Sequence, residues 1–85
     1  MPEILYTREA QTRIAKFSPT LQRRIKTAIE RLAVHPELGK ILTGHLRGTG
    51  SYRTGDYRIL YNFDRAKGLL LILTVGHRKD IYRKR

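Results

Sequence analysis

The sequence predicts an α+β fold: one strand, a two-helix hairpin and then a three-stranded antiparallel meander, with the helices packed on one face of the sheet. Two observations support this order. Helical periodicity is confined to the first half of the chain, whereas the second half carries strand-like runs joined by short polar turns. Because short turns join antiparallel neighbours, the last three strands form a meander. An amphipathic helix must bury its apolar stripe, so the helices are expected to cover the sheet.

The length of 85 residues predicts one domain spanning residues 1–85. Apolar residues make up 40% of the chain, which is enough for one helical layer on one sheet. The longest apolar run, residues 69–75, is far shorter than the about 20 residues that cross a bilayer. The N-terminus lacks the pattern of a signal peptide. We therefore expect a cytoplasmic protein with no membrane partner.

Charge is the strongest global feature of the sequence. Eighteen Lys and Arg side chains against seven Asp and Glu give a formal net charge of +11. Such a charge on a small domain attracts polyanions and costs self-repulsion in the compact state. Nucleic acid is the first candidate partner, and an acidic protein is the second. No cysteine is present, which excludes disulfides and thiolate metal sites, and three scattered histidines do not suggest a metal site.

The first half of the chain predicts a strand followed by two helices. Residues 3–6 form an apolar run that is typical of a strand. Thr7 is a good N-cap, and apolar residues then recur at helical spacing, so a first helix is expected over about residues 8–16. The second helix begins at Pro19, where proline tolerates the first helical position, and it ends at His35, before Pro36.

The second half predicts a loop over residues 36–44, and residues 45–47 are a candidate start of a strand. Residues 51–63 then form a hairpin whose turn lies at residues 54–56. Residues 64–68 form a polar turn. Residues 69–75 are apolar on both faces, which predicts a central strand, and a basic tail closes the chain.

Alternation along the second hairpin strand separates its side chains into two sets. Tyr57, Ile59 and Tyr61 share one face, which we expect to be the core face, while Arg58 lies on the other. Arg53 and Arg58 flank the turn. Guanidinium groups on a rigid hairpin suit the binding of phosphates.

Three segments of the chain closely resemble the RelE/ParE toxin superfamily: LRG at 46–48, SYRTGDYRILY at 51–61 and VGHRKDIY at 75–82. The resemblance covers essentially the whole chain. It implies the fold described above and a toxin of a type II toxin–antitoxin pair. RelE-like members cut mRNA in the ribosomal A site, whereas ParE-like members poison DNA gyrase. The basic, tyrosine-bearing C-terminus is more similar to the RelE branch.

The resemblance also implies site residues. Carried over by motif, the catalytic group is Arg53, Arg58, Arg78 and Tyr82. Further RNA-binding residues are expected at Arg47, Tyr52, Lys79 and Arg83. Tyr52 has two interpretations, because it could stack on RNA or cover the edge of the sheet.

The chemistry of such a site needs no cofactor or metal ion. The ribose 2′-hydroxyl attacks the adjacent phosphate, and preorganised guanidinium groups stabilise the negative charge of the transition state. We expect this role for Arg58. Arg78 would support the phosphate or the leaving 5′-oxygen, and Tyr82 would stack on a base or steer the 2′-hydroxyl.

The general base is the open part of this prediction. Ser51 stands where many relatives of the family carry a basic residue, and the guanidinium of Arg53 stays protonated at neutral pH, so it supplies electrostatic help only. His77 is the alternative candidate, because imidazole accepts protons near neutral pH. Alternation, however, places His77 and Arg78 on opposite faces unless the strand ends first.

The expected partners follow from the same resemblance. They are a cognate antitoxin that is acidic and partly disordered when free, the ribosome and mRNA, and promoter DNA only through the antitoxin complex. Two alternative functions stay open: a ParE-like gyrase poison of the same fold, and a non-catalytic nucleic-acid-binding module.

Overall fold

A computed structural model describes residues 2–42 and 48–80 of the chain. The elements in chain order are β1 (Glu3–Tyr6), α1 (Arg8–Ala15), α2 (Pro19–Val34), a 3₁₀ turn (Pro36–Leu38), β2 (Lys40–Ile41), β3 (Gly50–Thr54), β4 (Tyr57–Asp64) and β5 (Leu69–His77). Neither helix in this described part is long and apolar enough to cross a membrane.

The five strands form one mixed sheet in the order β1-β5-β4-β3-β2. β1 pairs parallel to β5, and the other neighbours are antiparallel. A parallel pair needs a long crossover, and α1 and α2 lie in the stretch of chain between β1 and the meander. The predicted α+β fold, with two helices against a sheet that ends in an antiparallel meander, is confirmed.

The helices begin where the sequence predicted. The Thr7 hydroxyl accepts a hydrogen bond from the Ala10 N–H (3.0 Å), and it also donates to the Leu73 carbonyl of β5 (2.6 Å). Ser18 accepts from the Leu21 N–H (3.2 Å), and Pro19 follows at the first helical position. The cap of α1 therefore joins the helix to the sheet, whereas the cap of α2 acts only on its own helix.

The core lies between α2 and the centre of the sheet. The apolar stripe of α2 meets the inner faces of β4 and β5, and α1 contributes one small residue. The buried core residues are Ala10, Ile25, Ala28, Ile29, Leu32, Ala33, Ile59, Tyr61, Leu70, Ile72 and Val75. The Tyr61 hydroxyl donates to the Pro36 carbonyl (2.9 Å), and burial, together with the nearby Glu37 carboxylate, raises the pKa of Tyr61. The prediction that Tyr61 belongs to the core is confirmed.

The predicted loop over residues 36–44 is partly wrong, because this stretch contains the 3₁₀ turn and β2. β2 pairs with β3, so that Lys40 lies opposite Ser51 and Ile41 opposite Gly50. Two residues are too few for a period-2 pattern to appear in the sequence. The candidate strand start at residues 45–47 lies outside the described residues.

The pairing of β4 with β5 contains an irregularity that the sequence did not predict. Leu60 lies opposite Thr74, but Tyr61 lies opposite Ile72, so Leu73 is an extra residue in β5. A bulge of this kind changes which way the following side chains point. Ile72 and Val75 both join the core although they are three positions apart, an odd number. The carbonyl of Leu73 is the one that accepts the Thr7 hydrogen bond.

Replacing Thr7 tests whether its hydrogen bond to the bulge stabilises the fold. Thr7→Ala removes the cap of α1 and leaves the Leu73 carbonyl without its donor, whereas Ser18→Ala removes a cap alone. We expect Ser18→Ala to lower the free energy of unfolding by about 1 kcal/mol. Thr7→Ala should cost about 1 kcal/mol more, since a lost partner leaves a polar group unsatisfied. Urea denaturation of both variants measures the difference, and equal losses would contradict the second role of Thr7.

Candidate functional site

Two arginines face each other across the hairpin. Arg53 of β3 lies directly opposite Arg58 of β4, and opposed residues of an antiparallel pair share one face of the sheet. The neighbouring pair, Tyr52 and Ile59, packs on the helical side. Arg53 and Arg58 therefore lie on the side turned away from the helices, which we call the distal face. As predicted, Arg58 and Tyr57 point to opposite sides.

The pairing of Arg53 with Arg58 has a cost in the stability of the sheet. Like charges directly opposite each other in a sheet are destabilising. The Arg53 guanidinium donates from Nε to the Gly55 carbonyl (3.0 Å), and this bond orients it along the turn. A guanidinium has five N–H donors, and among the described residues only this one of them is used, which leaves four for a ligand. Like charges placed opposite each other break a local rule of stability, and such breaks are typical of functional sites.

Arg78 reaches the same turn from the end of β5. Its backbone N–H donates to the Asp56 carbonyl (2.8 Å), and its Nε lies 4.0 Å from the Asp56 carboxylate. Both side chains are largely exposed, so this ion pair contributes little stability. The backbone bond is what fixes the position of Arg78. Three of the four predicted catalytic residues are thus brought to one hairpin turn.

Gly76 occupies the position next to Arg58 on β5. The row across the sheet is therefore Arg53, Arg58 and then a residue without a side chain.

His77 lies on the helical side of the sheet. It pairs with Tyr57, with 5.5 Å between the ring centroids, and Tyr57 in turn contacts Phe17 at 5.4 Å. The Lys79 N–H donates to His77 Nδ1 (3.1 Å), so the proton of the neutral ring is on Nε2. The candidate general base is therefore separated from Arg53 and Arg58 by the sheet.

Tyr52 requires a correction. In the sequence, its position beside Arg53 made Tyr52 a candidate for base stacking, but alternation along β3 places the two side chains on opposite faces. Tyr52 packs against the core, and it lines a cavity of about 240 Å³ with Arg24 and Arg31 of α2. It covers the sheet, which was the other interpretation.

Of the remaining predicted residues, one lies near the end of the described chain and the others lie outside the described residues. Lys79 is exposed in the turn that follows β5, and its backbone N–H donates a hydrogen bond to the His77 ring. The other predicted residues lie outside the described residues: Arg47, Tyr82 and Arg83. Within residues 2–42 and 48–80, no three His, Asp or Glu side chains are placed to hold a metal ion.

Comparison with known proteins identifies the family of this chain. A family model described as the ParE toxin of the type II toxin–antitoxin system, parDE, matches residues 4–82. Toxin RelG of Mycobacterium tuberculosis (strain ATCC 25618 / H37Rv) is 37% identical over 83 residues, which cover 95% of each chain. The chain belongs to the RelE/ParE superfamily of type II toxin–antitoxin toxins.

Solved structures of RelE/ParE toxins share the fold. The toxin–antitoxin complex RelBE2 from Mycobacterium tuberculosis contains a chain that is 33% identical, with a TM-score of 0.82 over 92% of this chain and 100% of that chain. The intact E. coli RelBE complex matches with a TM-score of 0.78 at 18% identity and full coverage of both chains. The isolated E. coli RelE toxin matches with a TM-score of 0.76 at 16% identity, over 91% of this chain and 84% of that chain.

Arg24 of α2 is a further basic residue near the turn, and the sequence did not place it there. In the folded toxin, a Cβ added at Gly55 would lie 3.0 Å from Arg24 Nη1, so this guanidinium lies against the hairpin turn. Helical periodicity shows which side of α2 carries Arg24 but not which turn it meets, because that contact depends on how α2 crosses the sheet.

The repulsion between Arg53 and Arg58 predicts a salt effect on the stability of the toxin. From about 0.02 M to about 0.5 M NaCl, screening should raise the free energy of unfolding of the wild type by about 0.2–1 kcal/mol more than that of Arg53→Gln. Urea denaturation at both salt concentrations measures this. Arg53→Lys, which keeps the charge, should respond like the wild type.

Lys67→Gln is the matched control, since it removes one charge from the exposed turn between β4 and β5, at the other end of the hairpin. If Arg53→Gln and Lys67→Gln respond alike, net charge alone sets the salt effect and the opposed pair costs nothing.

Proposed function

We propose that this toxin is a metal-independent endoribonuclease that cuts mRNA in the ribosomal A site. The observation that carries the proposal is the register of Arg53 and Arg58 on the distal face. The arrival of Arg78 at the same turn supports it. Three guanidinium groups around one turn suit a dianionic phosphoryl transition state, and a purely structural hairpin has no need of them.

The reaction proceeds by transfer within the RNA strand. The ribose 2′-hydroxyl loses its proton to water, its oxygen bonds to the adjacent phosphorus, and the bond from phosphorus to the 5′-oxygen breaks. The leaving 5′-oxygen takes up a proton from water, so the products are a 2′,3′-cyclic phosphate and a 5′-hydroxyl. Negative charge on the phosphoryl oxygens is greatest in the transition state, so donors fixed before reaction lower the barrier.

The three arginines have different proposed roles, which we assign from their positions. Arg58 lies between Tyr57 and Ile59, which both pack on the helical side. The packing of these two neighbours fixes the position of the Arg58 backbone. We assign it to the phosphoryl oxygens. Arg53 stabilises the forming alkoxide, and Arg78 stabilises the phosphate or the leaving 5′-oxygen. Tyr82 keeps the role that the resemblance implies, stacking on a base or steering the 2′-hydroxyl, and one stacked base is typically worth about 1–3 kcal/mol.

His77 is not one of the reacting groups in this proposal. It lies on the helical side, and its Nδ1 already accepts from Lys79. The arginines act by charge stabilisation rather than by proton abstraction. Lys79 and the tail residue Arg83, with Arg47, are proposed contacts for RNA phosphates.

The proposed partner is a cognate antitoxin. The similar structures of M. tuberculosis RelBE2 and E. coli RelBE are toxin–antitoxin complexes. A net charge of +11 favours an acidic partner, and a segment disordered when free could wrap the sheet and cover the arginines. Promoter DNA would be bound through that complex, and the ribosome through the basic surface.

Primer extension after in vitro translation tests the enzyme activity. The wild type should produce cuts in A-site codons, and Arg58→Ala or Arg78→Ala should lower the cleavage rate by about 10²–10³-fold. Arg58→Lys should restore the rate only in part, because an ammonium lacks the guanidinium fork. Lys67→Ala is the control with unchanged cleavage.

Cosedimentation with ribosomes must accompany this assay. Loss of cleavage with ribosome binding retained supports a catalytic role for the arginines. Cleavage that persists in Arg58→Ala would contradict the assignment of that residue.

A second candidate function is poisoning of DNA gyrase, which the description of the matching family model as a ParE toxin favours. A supercoiling assay with purified gyrase separates the two. Inhibited gyrase with intact mRNA would replace the endoribonuclease proposal. Binding of nucleic acid with neither effect would leave a non-catalytic module.

A further inference from the structure

We propose that Lys40 contacts an RNA phosphate next to the one held by Arg53 and Arg58. The inference rests on the proposed function and adds a residue that neither the motifs nor the resemblance suggested. It begins from β2, which the sequence did not predict. Lys40 lies directly opposite Ser51, and Ser51 shares the distal face with Arg53, two residues further along β3. Lys40 is therefore on the distal face as well.

The distances within the sheet bring Lys40 near the arginines. Rows two residues apart in a strand are about 6.8 Å apart, and neighbouring strands are about 4.8 Å apart. Lys40 and Arg53 are diagonal neighbours on adjacent strands, a separation that long side chains can span. Lys40, Arg53 and Arg58 thus lie on three successive strands, β2, β3 and β4, over about 10 Å.

In the row of paired residues that crosses β2, β3 and β4 at this point, Lys40 is the charged residue. The next two residues in that row, Ser51 and Leu60, are uncharged and only 4% and 5% exposed. Lys40 itself is exposed, and no ion pair joins it to a carboxylate within the described part of the chain. By contrast, Arg13 is paired with Glu9 at 3.3 Å. The ammonium of Lys40 is therefore available to an external anion.

The chemistry of these side chains identifies the ligand as a polyanion with regularly spaced charges. The two guanidinium groups can form forked hydrogen bonds to one phosphate, whereas an ammonium on a flexible stem acts as a point charge on a neighbouring one. Basic grooves that track a single-stranded backbone bind RNA in this way. The role is binding, with no proton transfer by Lys40.

Single-stranded RNA binding provides the first test. Purified toxin is titrated with a fluorescein-labelled 12-nucleotide oligouridylate at several salt concentrations. Loss of one phosphate contact should reduce the slope of log K against log [salt] by about 0.7, and weaken binding about fivefold at about 0.1 M salt. We expect this for Lys40→Met, which keeps an unbranched stem, while Lys40→Arg and Lys67→Met should match the wild type.

A charge swap within β2 is the sharper test. Lys40→Ile combined with Ile41→Lys keeps the composition and the net charge, but it moves the ammonium to the other face of the strand. Both positions are exposed, Ile41 by 63%, so the fold should tolerate the exchange, and thermal denaturation checks this. The swap variant should bind RNA as weakly as Lys40→Met, and both should need about fivefold more toxin for half-maximal A-site cleavage.

Each outcome decides the inference. A swap variant with the wild-type slope overturns it, because net charge would then suffice. A wild type that does not bind the oligonucleotide overturns it too, as does a Lys40→Met variant that loses affinity for the antitoxin with an unchanged RNA slope. If the wild type binds RNA but cuts no mRNA, the proposed enzyme activity fails, and the salt slopes still decide whether Lys40 contacts a phosphate.

Discussion

The burial of the apolar stripe of α2 against β4 and β5 determines the orientation of the whole sheet. Ile25, Ile29 and Leu32 meet Ile59 and Tyr61 in one core, and the sequence contains no cysteine that could add a disulfide. This contact decides which side of β4 faces inward. Since side chains alternate along a strand, it also decides that the arginine between Tyr57 and Ile59 faces outward. The side of the sheet on which the proposed site lies is thus a consequence of the hydrophobic core.

Local sequence patterns were sufficient to predict much of the fold of this toxin. The cap at Thr7, the start of α2 at Pro19 and the alternation along β4 all depend on residues close together in the chain, and the structure confirms them. β2, with two residues, has no pattern to detect. The parallel pairing of β1 and the side taken by Tyr52 depend on contacts between distant segments, which no single stretch of sequence encodes.

The site shows a conflict between stability and recognition. Opposed arginines weaken the hairpin, and Arg53 is held in place by a bond to a backbone carbonyl rather than by an acidic neighbour. An acid beside it would stabilise the fold but would also neutralise a charge that the proposed function uses to bind RNA. In the proposed complex, an acidic antitoxin segment supplies the negative charge from outside. Under the proposed function, one arrangement of cations then accounts for both RNA binding and inhibition by the antitoxin.

The extra residue in β5 makes the C-terminal part of the site depend on parity. Side chains alternate along a strand, so an extra residue exchanges the faces of all later residues unless a bulge accommodates it. If Leu73 were present without the bulge, the alternation set by Leu70 and Ile72 would turn Gly76 inward and carry His77 to the side of the arginines. The same sequence motifs would then lie on exchanged faces. The bulge and the number of residues between Ile72 and Arg78 therefore have to change together if the faces of this strand end are to be kept.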